Sequence, residues 1–301
     1  MKLLLTGGLG FIGRNFLLHR PADWHVTAVD ITEDARFARK IKNTVFIKAD
    51  LRDADKVKKL SKRIGDRFSA CVFLAANGDP ALSVPDPAWD LDATTKTLIN
   101  VCQGFTFNRF IYFSSGAVYN GLSGLISPTK PIAPTLPYAI SHKASEEYTR
   151  FYHQAGRIDK YIIIRFFGAY GPYEPPRKIY TRLIKQFTSS NNTTYAIKGD
   201  GKNYIDAMYI EDAVAGIISA IKSKRCNLTV DFCKGDHPTI NQLVVRAGQA
   251  FDKRVAVSHM GEVTEYNRFY ASPKEFEKLF HFKPKITLEE GLNKLYKFYA
   301  K

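Results

Sequence analysis

Apolar positions in the first half of the chain gather into short runs separated by longer amphipathic segments. Residues 2–6, 25–30, 44–48, 70–75, 109–113 and 160–166 are largely apolar and of strand length. Between most of them lie segments of helical length, 11–19, 54–64, 88–102 and 138–155. Strand and helix alternating in this way predict an α/β fold, with a Rossmann-type doubly wound parallel sheet covered by helices on both faces. Crossovers should be right-handed, and a ligand should sit at the carboxyl ends of the strands. After Phe166 the rhythm loosens: Pro172, Pro175 and Pro176 punctuate the chain, and the polar run 189–194 reads as a loop. A helix is expected to start near Asp212, and two more, 273–280 and 287–299, to close a smaller mixed α/β part. With no internal repeat and no low-complexity linker, the two parts should pack as one body.

Composition narrows the class. A chain of 301 residues, 45% hydrophobic and 13% aromatic, can bury a sizeable core and is not disordered. The apolar start, 1–6, breaks at Gly7 and Gly8, too short for a signal-peptide core, and no stretch is long enough to span a bilayer. A soluble, cytoplasmic protein with no membrane partner is the expectation. Cys71, Cys102, Cys226 and Cys233 are scattered without zinc spacing, so reduced thiols and no metal are expected. The 44 basic against 29 acidic residues give a net charge of +15. Much of that excess lies in 56–67, which forms no single helical stripe and is not interleaved with aromatics. It reads as a solvated surface with a mild attraction for diphosphate rather than as a nucleic-acid site.

The sharpest local signal is the run Thr6-Gly7-Gly8-Leu9-Gly10-Phe11-Ile12-Gly13, between a predicted strand and a predicted helix. Glycines at 7, 10 and 13 permit a tight turn, close approach to a pyrophosphate, and close helix–strand packing. The phosphate would sit on the helix N-terminus, with Arg14 as a nearby cation. Asp30 ends the second strand, where a carboxylate bonds the adenosine ribose and repels a 2′-phosphate, favouring NAD. The bland alternative is a glycine turn beside a surface Asp.

Later motifs carry a resemblance. Asp50-Leu51, Leu74-Ala75-Ala76, the segment Phe113-Ser114-Ser115-Gly116-Ala117-Val118-Tyr119 and Tyr138-Ala139-Ile140-Ser141 occur in the order of the extended short-chain dehydrogenase/reductase family. So do 165–172, 199–212 and 282–292, so nearly the whole chain resembles that family's nucleotide-sugar epimerases. The resemblance implies an NAD-binding domain over 1–170, rejoined by part of 206–233, and a discontinuous, mainly substrate-binding domain over 171–301. It implies NAD on Gly7, Gly10, Phe11, Ile12, Gly13, Asp30, Asp50, Leu51, Ala75, Ala76, Ser114, Tyr138 and the residue four beyond Tyr138. It also implies a nucleotide-sugar substrate oxidised or inverted at C4, and a homodimer built on the helices 88–102 and 138–155.

In that scheme Tyr138 takes the proton of the sugar hydroxyl and Ser115 steadies the reacting oxygen. A phenol with a pKa near 10 lies about three units, or about 4 kcal/mol, from being a base at pH 7. The family meets that need with a lysine four residues on; here position 142 is His. His142 shares the Tyr138 helix face, whereas Lys143 lies about 140° around. Either His142 substitutes as a protonated group, with activity falling as pH rises, or the site is retired and the protein only binds. Gly168 and Ile205 replace an Asn and an Arg that contact the diphosphate in the family, and Thr94 replaces a common Asn. Arg177 and Arg268, with Lys178 and Arg182, are the available cations. Gly116-Ala117 lacks the Asp-Glu pair of the family's 4,6-dehydratases, which disfavours elimination. The remaining histidines, His237 among them, have no metal spacing and read as surface or packing residues.

Overall fold

The computed structural model describes residues 1–189, 194–262 and 267–300. Seven parallel strands form the central sheet: β1 (Lys2–Thr6), β2 (His25–Asp30), β3 (Thr44–Lys48), β4 (Ala70–Phe73), β5 (Phe110–Ser115), β6 (Tyr161–Phe166) and β7 (Leu228–Phe232). They lie in the order β7-β6-β5-β4-β1-β2-β3. The order reverses between β1 and β4, and a crevice opens at the carboxyl ends of strands about such a switch point. β7 comes from beyond residue 170, after the chain has left the sheet and returned.

Strand side chains alternate between faces, and here both faces are dry. Leu3, Leu5, Val26, Ile111 and Ile162 pack into one core, beneath helices Phe11–His19 and Ile210–Lys222. Leu4, Phe73, Tyr112 and Ile163 enter the other, beneath helices Ala54–Ile64 and Thr97–Gly104. That is why the strands read as unbroken apolar runs. Each Leu or Ile so buried contributes about 1.5–3 kcal/mol. Helix Ala54–Ile64 starts on the Asp53 carboxylate, which accepts from the Lys56 N–H at 3.0 Å. It buries Val57 and Leu60 and leaves Lys58, Lys59, Lys62 and Arg63 exposed.

The helix expected over 88–102 is broken in rhythm. Pro87–Leu91 and Thr97–Gly104 are α-helical, but Asp92–Lys96 between them is a wider π-helical turn. Thr94 lies in that turn, and its hydroxyl accepts from the Asn77 N–H at 3.3 Å. The smaller lobe pairs Thr194–Lys198 with Ala256–Met260 and Ser123–Ile126 with Arg268–Ala271. Helices Ile179–Ser189, Ile240–Gln249, Lys274–Phe280 and Leu288–Tyr299 complete it. Of the loop expected over 189–194, Ser189 ends a helix and Thr194 begins a strand, while 190–193 fall outside the described residues. Among the described residues no helix is long and apolar enough to cross a membrane, and no cluster of His, Cys, Asp or Glu is placed to hold a metal.

Candidate active site

The glycine loop joins β1 to helix Phe11–His19 at the switch point. Gly7 has φ +68°, and a Cβ there would lie 3.1 Å from the Ala75 nitrogen, so β1 and β4 meet over bare backbone. A Cβ on Gly13 would stand 2.2 Å from the Gly7 carbonyl oxygen; only hydrogen fits. The N-cap of that helix, Gly10, has no capping side chain, which leaves its first N–H groups for an anion. Phe11 and Ile12 lie in this first turn, partly buried. The Asp30 carboxylate is held in place by N–H donation from Leu9 (2.9 Å) and Thr32 (3.0 Å). Thr6 Oγ1 accepts from the N–H groups of Leu74 and Ala75, both at 3.1 Å, and so fixes the start of 74–76. Asp50 is gripped by Arg52 through two hydrogen bonds (2.9 and 2.7 Å), which hold its carboxyl below the usual range; Leu51 beside it is buried. Arg14 is not available to a phosphate: it pairs with Asp34 at 2.7 Å and lies over the Phe37 and Tyr173 rings.

Ser115 ends β5, and its oxygen caps the following turn by accepting from the Ala117 N–H at 3.1 Å. Tyr138 enters at the first turn of helix Pro137–Gln154, which Pro137 starts at N1. Burial pushes the Tyr138 phenol up, the Ser115 hydroxyl pulls it down, and Asp90 and Asp79 push it up further. Ser115 and Tyr138 are thus neighbours, although they are far apart in sequence.

His142 follows one turn later, its ring 4.5 Å from that of Tyr138 between centroids. It is 3% exposed. Nδ1 is 2.8 Å from the Tyr112 hydroxyl, and Nε2 is buried with no partner. Burial lowers its pKa to about 4, against smaller opposing effects of Asp90 and Glu146. Of the two readings of His142 left open by the sequence, the protonated substitute is disfavoured, because burial favours the neutral imidazole at physiological pH. Lys143 turns away to pair with Glu147.

Below this pair runs a buried polar strut. Ser114 donates to Glu146 Oε1 at 2.8 Å, so its hydroxyl faces the protein interior. Arg165 holds both Glu146 oxygens (2.9 and 2.8 Å) and donates to the Tyr119 hydroxyl, which donates to Asp231 on β7 at 2.7 Å. A second network joins Asn77 and Ser141 to the two oxygens of fully buried Asp90, each at 2.7 Å.

Beside Ser115 opens a cavity of ≈ 280 Å³, walled by Ala117, Phe167, Ile205, Asp206 and His237 among others; no Lys or Arg lines it among the described residues. Asp206 accepts from the N–H groups of Lys234 and Gly235, and burial raises its pKa to about 7. Gly168 has φ +153°, and a Cβ there would lie 3.0 Å from the Asp206 carbonyl oxygen. Beside the short pairing of Ala169–Tyr170 with Met208–Tyr209, an Asn at this position would be crowded and held at a strained φ. Arg177 and Arg268 do not line the cavity. Arg177 is exposed and bound to Asp79 at 2.6 Å; Arg268 is exposed at the start of a lobe strand. His237, read from sequence as a packing residue, stacks on Tyr270 (4.3 Å, 8°), with Nδ1 buried and unpartnered at the cavity wall. No spacing rule could have selected it, because the lobe loops, not a local motif, bring it to Ser115.

A parallel α/β sheet, a glycine turn at its switch point, and a Ser–Tyr pair at the crevice together define the short-chain class of dinucleotide-dependent enzymes. The sequence matches the model of the NAD dependent epimerase/dehydratase family over residues 3–229, and the chain belongs to that family. It is 27% identical over 308 residues to the uncharacterized UDP-glucose epimerase YtcB of Bacillus subtilis, covering 97% of this chain and 96% of that one. It is 26% identical to the UDP-glucuronate 4-epimerase of Thermodesulfobacterium geofontis, covering 97% and 94%. The fold superimposes on the Bacillus cereus UDP-glucuronic acid 4-epimerase, crystallised with UDP-glucuronic acid and NAD. That match has a TM-score of 0.87 at 23% identity and covers 100% of this chain and 99% of that one.

Proposed function

We propose that the protein is a soluble, cytoplasmic NAD-dependent epimerase that inverts C4 of a nucleotide-linked sugar. The observation that carries this reading is the meeting of Tyr138 with Ser115, which itself opens on a cavity, in a sheet whose switch point holds a tight glycine turn. Gly7, Gly10, Phe11, Ile12 and Gly13 would hold the pyrophosphate, Asp30 the adenosine ribose, and Asp50 and Leu51 the adenine. Backbone at Ala75, Ala76 and Ser114 would flank the nicotinamide, whose ribose would meet Tyr138 and His142. Residues 1–170 with β7 form the cofactor part of this assignment, and most of 171–301 the substrate part.

Bound NAD supplies the hydride acceptor, and later the donor, at the sugar carbon. Tyr138, as phenolate, takes the hydroxyl proton, and Ser115 donates a hydrogen bond to the same oxygen. Phe167 and Ile205 line the cavity and no Lys or Arg does among the described residues, so a keto sugar can turn before Tyr138 returns the proton. Gly116 and Ala117 offer no acid for water loss, which supports epimerisation over dehydration. Gly168 leaves the diphosphate to exposed cations, Arg268 and, once released from Asp79, Arg177.

A homodimer fits the exposed apolar side chains of the helices 87–104 and 137–154: Leu91, Ile140, Tyr148 and Phe151 are 47, 46, 40 and 54% exposed.

Proton NMR of a panel of UDP-, GDP-, CDP- and dTDP-sugars with NAD tests the reading. Inversion at C4 with NAD unconsumed is expected, and Tyr138→Phe should lower turnover at least about 100-fold while NAD still binds. Stoichiometric NADH would make it a dehydrogenase. NAD binding without any conversion would leave a binding protein.

A further inference from the structure

We propose that Tyr112 is a positioning residue for the cofactor: its hydroxyl donates to His142 Nδ1 and so fixes the neutral imidazole with hydrogen on Nε2, a buried donor for a hydroxyl of the nicotinamide ribose. The site then works with a neutral donor where the family pattern has a cation.

Five groups around the ring decide its state. Tyr112 is fully buried, so its hydrogen must be spent on an acceptor, and His142 Nδ1 is 2.8 Å away. A phenol is a far better acid than a neutral imidazole N–H, so the bond runs from oxygen to nitrogen. Ser145, the other hydroxyl close to Tyr112, turns its hydrogen to the Ser141 carbonyl (2.9 Å) and the Thr95 hydroxyl (3.2 Å), and its oxygen is a weaker acceptor for the Tyr112 hydrogen than the imidazole nitrogen. The two carboxylates that could hold an imidazolium are already taken. Asp90 accepts from Asn77 and Ser141, and Glu146 from Ser114 and Arg165. Tyr138, stacked at 4.5 Å, is a phenol and no counter-ion while protonated. A charge on His142 would thus be buried without a partner, and the ring stays neutral.

With Nδ1 occupied, the remaining hydrogen is on Nε2, and that atom has no partner among the described residues. A buried donor left open costs stability unless a ligand meets it, which marks the place where one binds. The geometry follows from periodicity: β5 turns Tyr112 to the face that helix Pro137–Gln154 covers, and His142 is one helical turn below Tyr138.

This inference rests on reading the crevice as an NAD site, but its first test needs no nucleotide. Nitrogen-15 spectra of histidine-labelled wild-type protein, with the His142 signals assigned by their loss in His142→Gln, report each ring nitrogen directly. The expected result is a proton on Nε2 and none on Nδ1, unchanged from about pH 5.5 to 8. An imidazolium at neutral pH, or the opposite tautomer, overturns the proposal even if the enzyme epimerises sugars. Tyr112→Phe should give a mixture of tautomers and weaken NAD binding roughly tenfold, the worth of one hydrogen bond. In a His142→Lys background the same change should leave NAD affinity unmoved, since no imidazole remains to orient. Equal losses in both backgrounds would reduce Tyr112 to a packing residue. Should Tyr112→Phe fail to fold, the wild-type spectrum still decides the tautomer.

Discussion

Neutral His142 reverses an expected pH dependence. Its folded pKa, about 4, lies below its free value of 6.5, so between them the unfolded chain binds a proton that the folded one refuses. Stability from this group is complete above about pH 6.5 and is lost as pH falls toward 4, at about 1.4 kcal/mol per unit. Glu174, Asp206 and Asp231 act in the opposite sense. Burial raises each to about 7, so their folded forms keep a proton that the unfolded chain releases, and their contribution falls as pH rises toward 7. The whole-protein curve mixes these effects, but a difference isolates one. From pH 7 to 5, wild type should lose about 2 kcal/mol that His142→Gln retains, measured by urea unfolding. Parallel curves would mean that the ring is solvated. Activity should rise with pH as Tyr138 loses its proton, not fall as a titrating His142 would require. Sequence singled out Tyr138, Ser115 and the Lys-to-His exchange because each occupies a fixed place in a motif, and the fold brings Tyr138 to Ser115. It could not give the charge on His142, which depends on Tyr112 and on two carboxylates committed elsewhere.

Helix Pro137–Gln154 carries Tyr138 at its start and its anchorage in the middle. Glu146 and Arg165 form a buried pair, 0 and 4% exposed at the side chain. Glu146→Gln would strand a guanidinium inside the protein and should cost about 3–5 kcal/mol in chemical denaturation. A loss under about 1 kcal/mol would match an exposed pair and refute the strut. The inner strands were legible because both sheet faces are dry there, which leaves unbroken apolar runs; β3, on the sheet edge and half-wet, was legible only from its Val45-Phe46-Ile47 centre. The lobe pairs Thr194–Lys198 with Ala256–Met260 and Ser123–Ile126 with Arg268–Ala271 were not, since they are short and half-wet. Helix Ile240–Gln249 is marked in the sequence by the Thr239–Gln242 capping box. The π-helical turn at Asp92–Lys96 left no mark in the apolar spacing.

At the scale of the whole molecule, the basic excess is spread over solvent-facing positions such as those of helix Ala54–Ile64, and Leu91, Ile140, Tyr148 and Phe151 are exposed on two neighbouring helices. If those helices pair two copies, light scattering should give twice the 34.0 kDa chain mass, and Phe151→Glu should give the single mass. A wild-type monomer would remove the dimer from the proposal.

Strand β7 gives this architecture a history during synthesis. It pairs with β6 and supplies the Asp231 that holds Tyr119, yet it leaves the ribosome only after the chain has begun the small lobe. Until residue 232 emerges, β6 is a bare edge, open to pairing with any passing strand. A nascent chain stopped in that interval would be adhesive rather than merely incomplete. The oxidising site is finished only when the molecule is nearly all made.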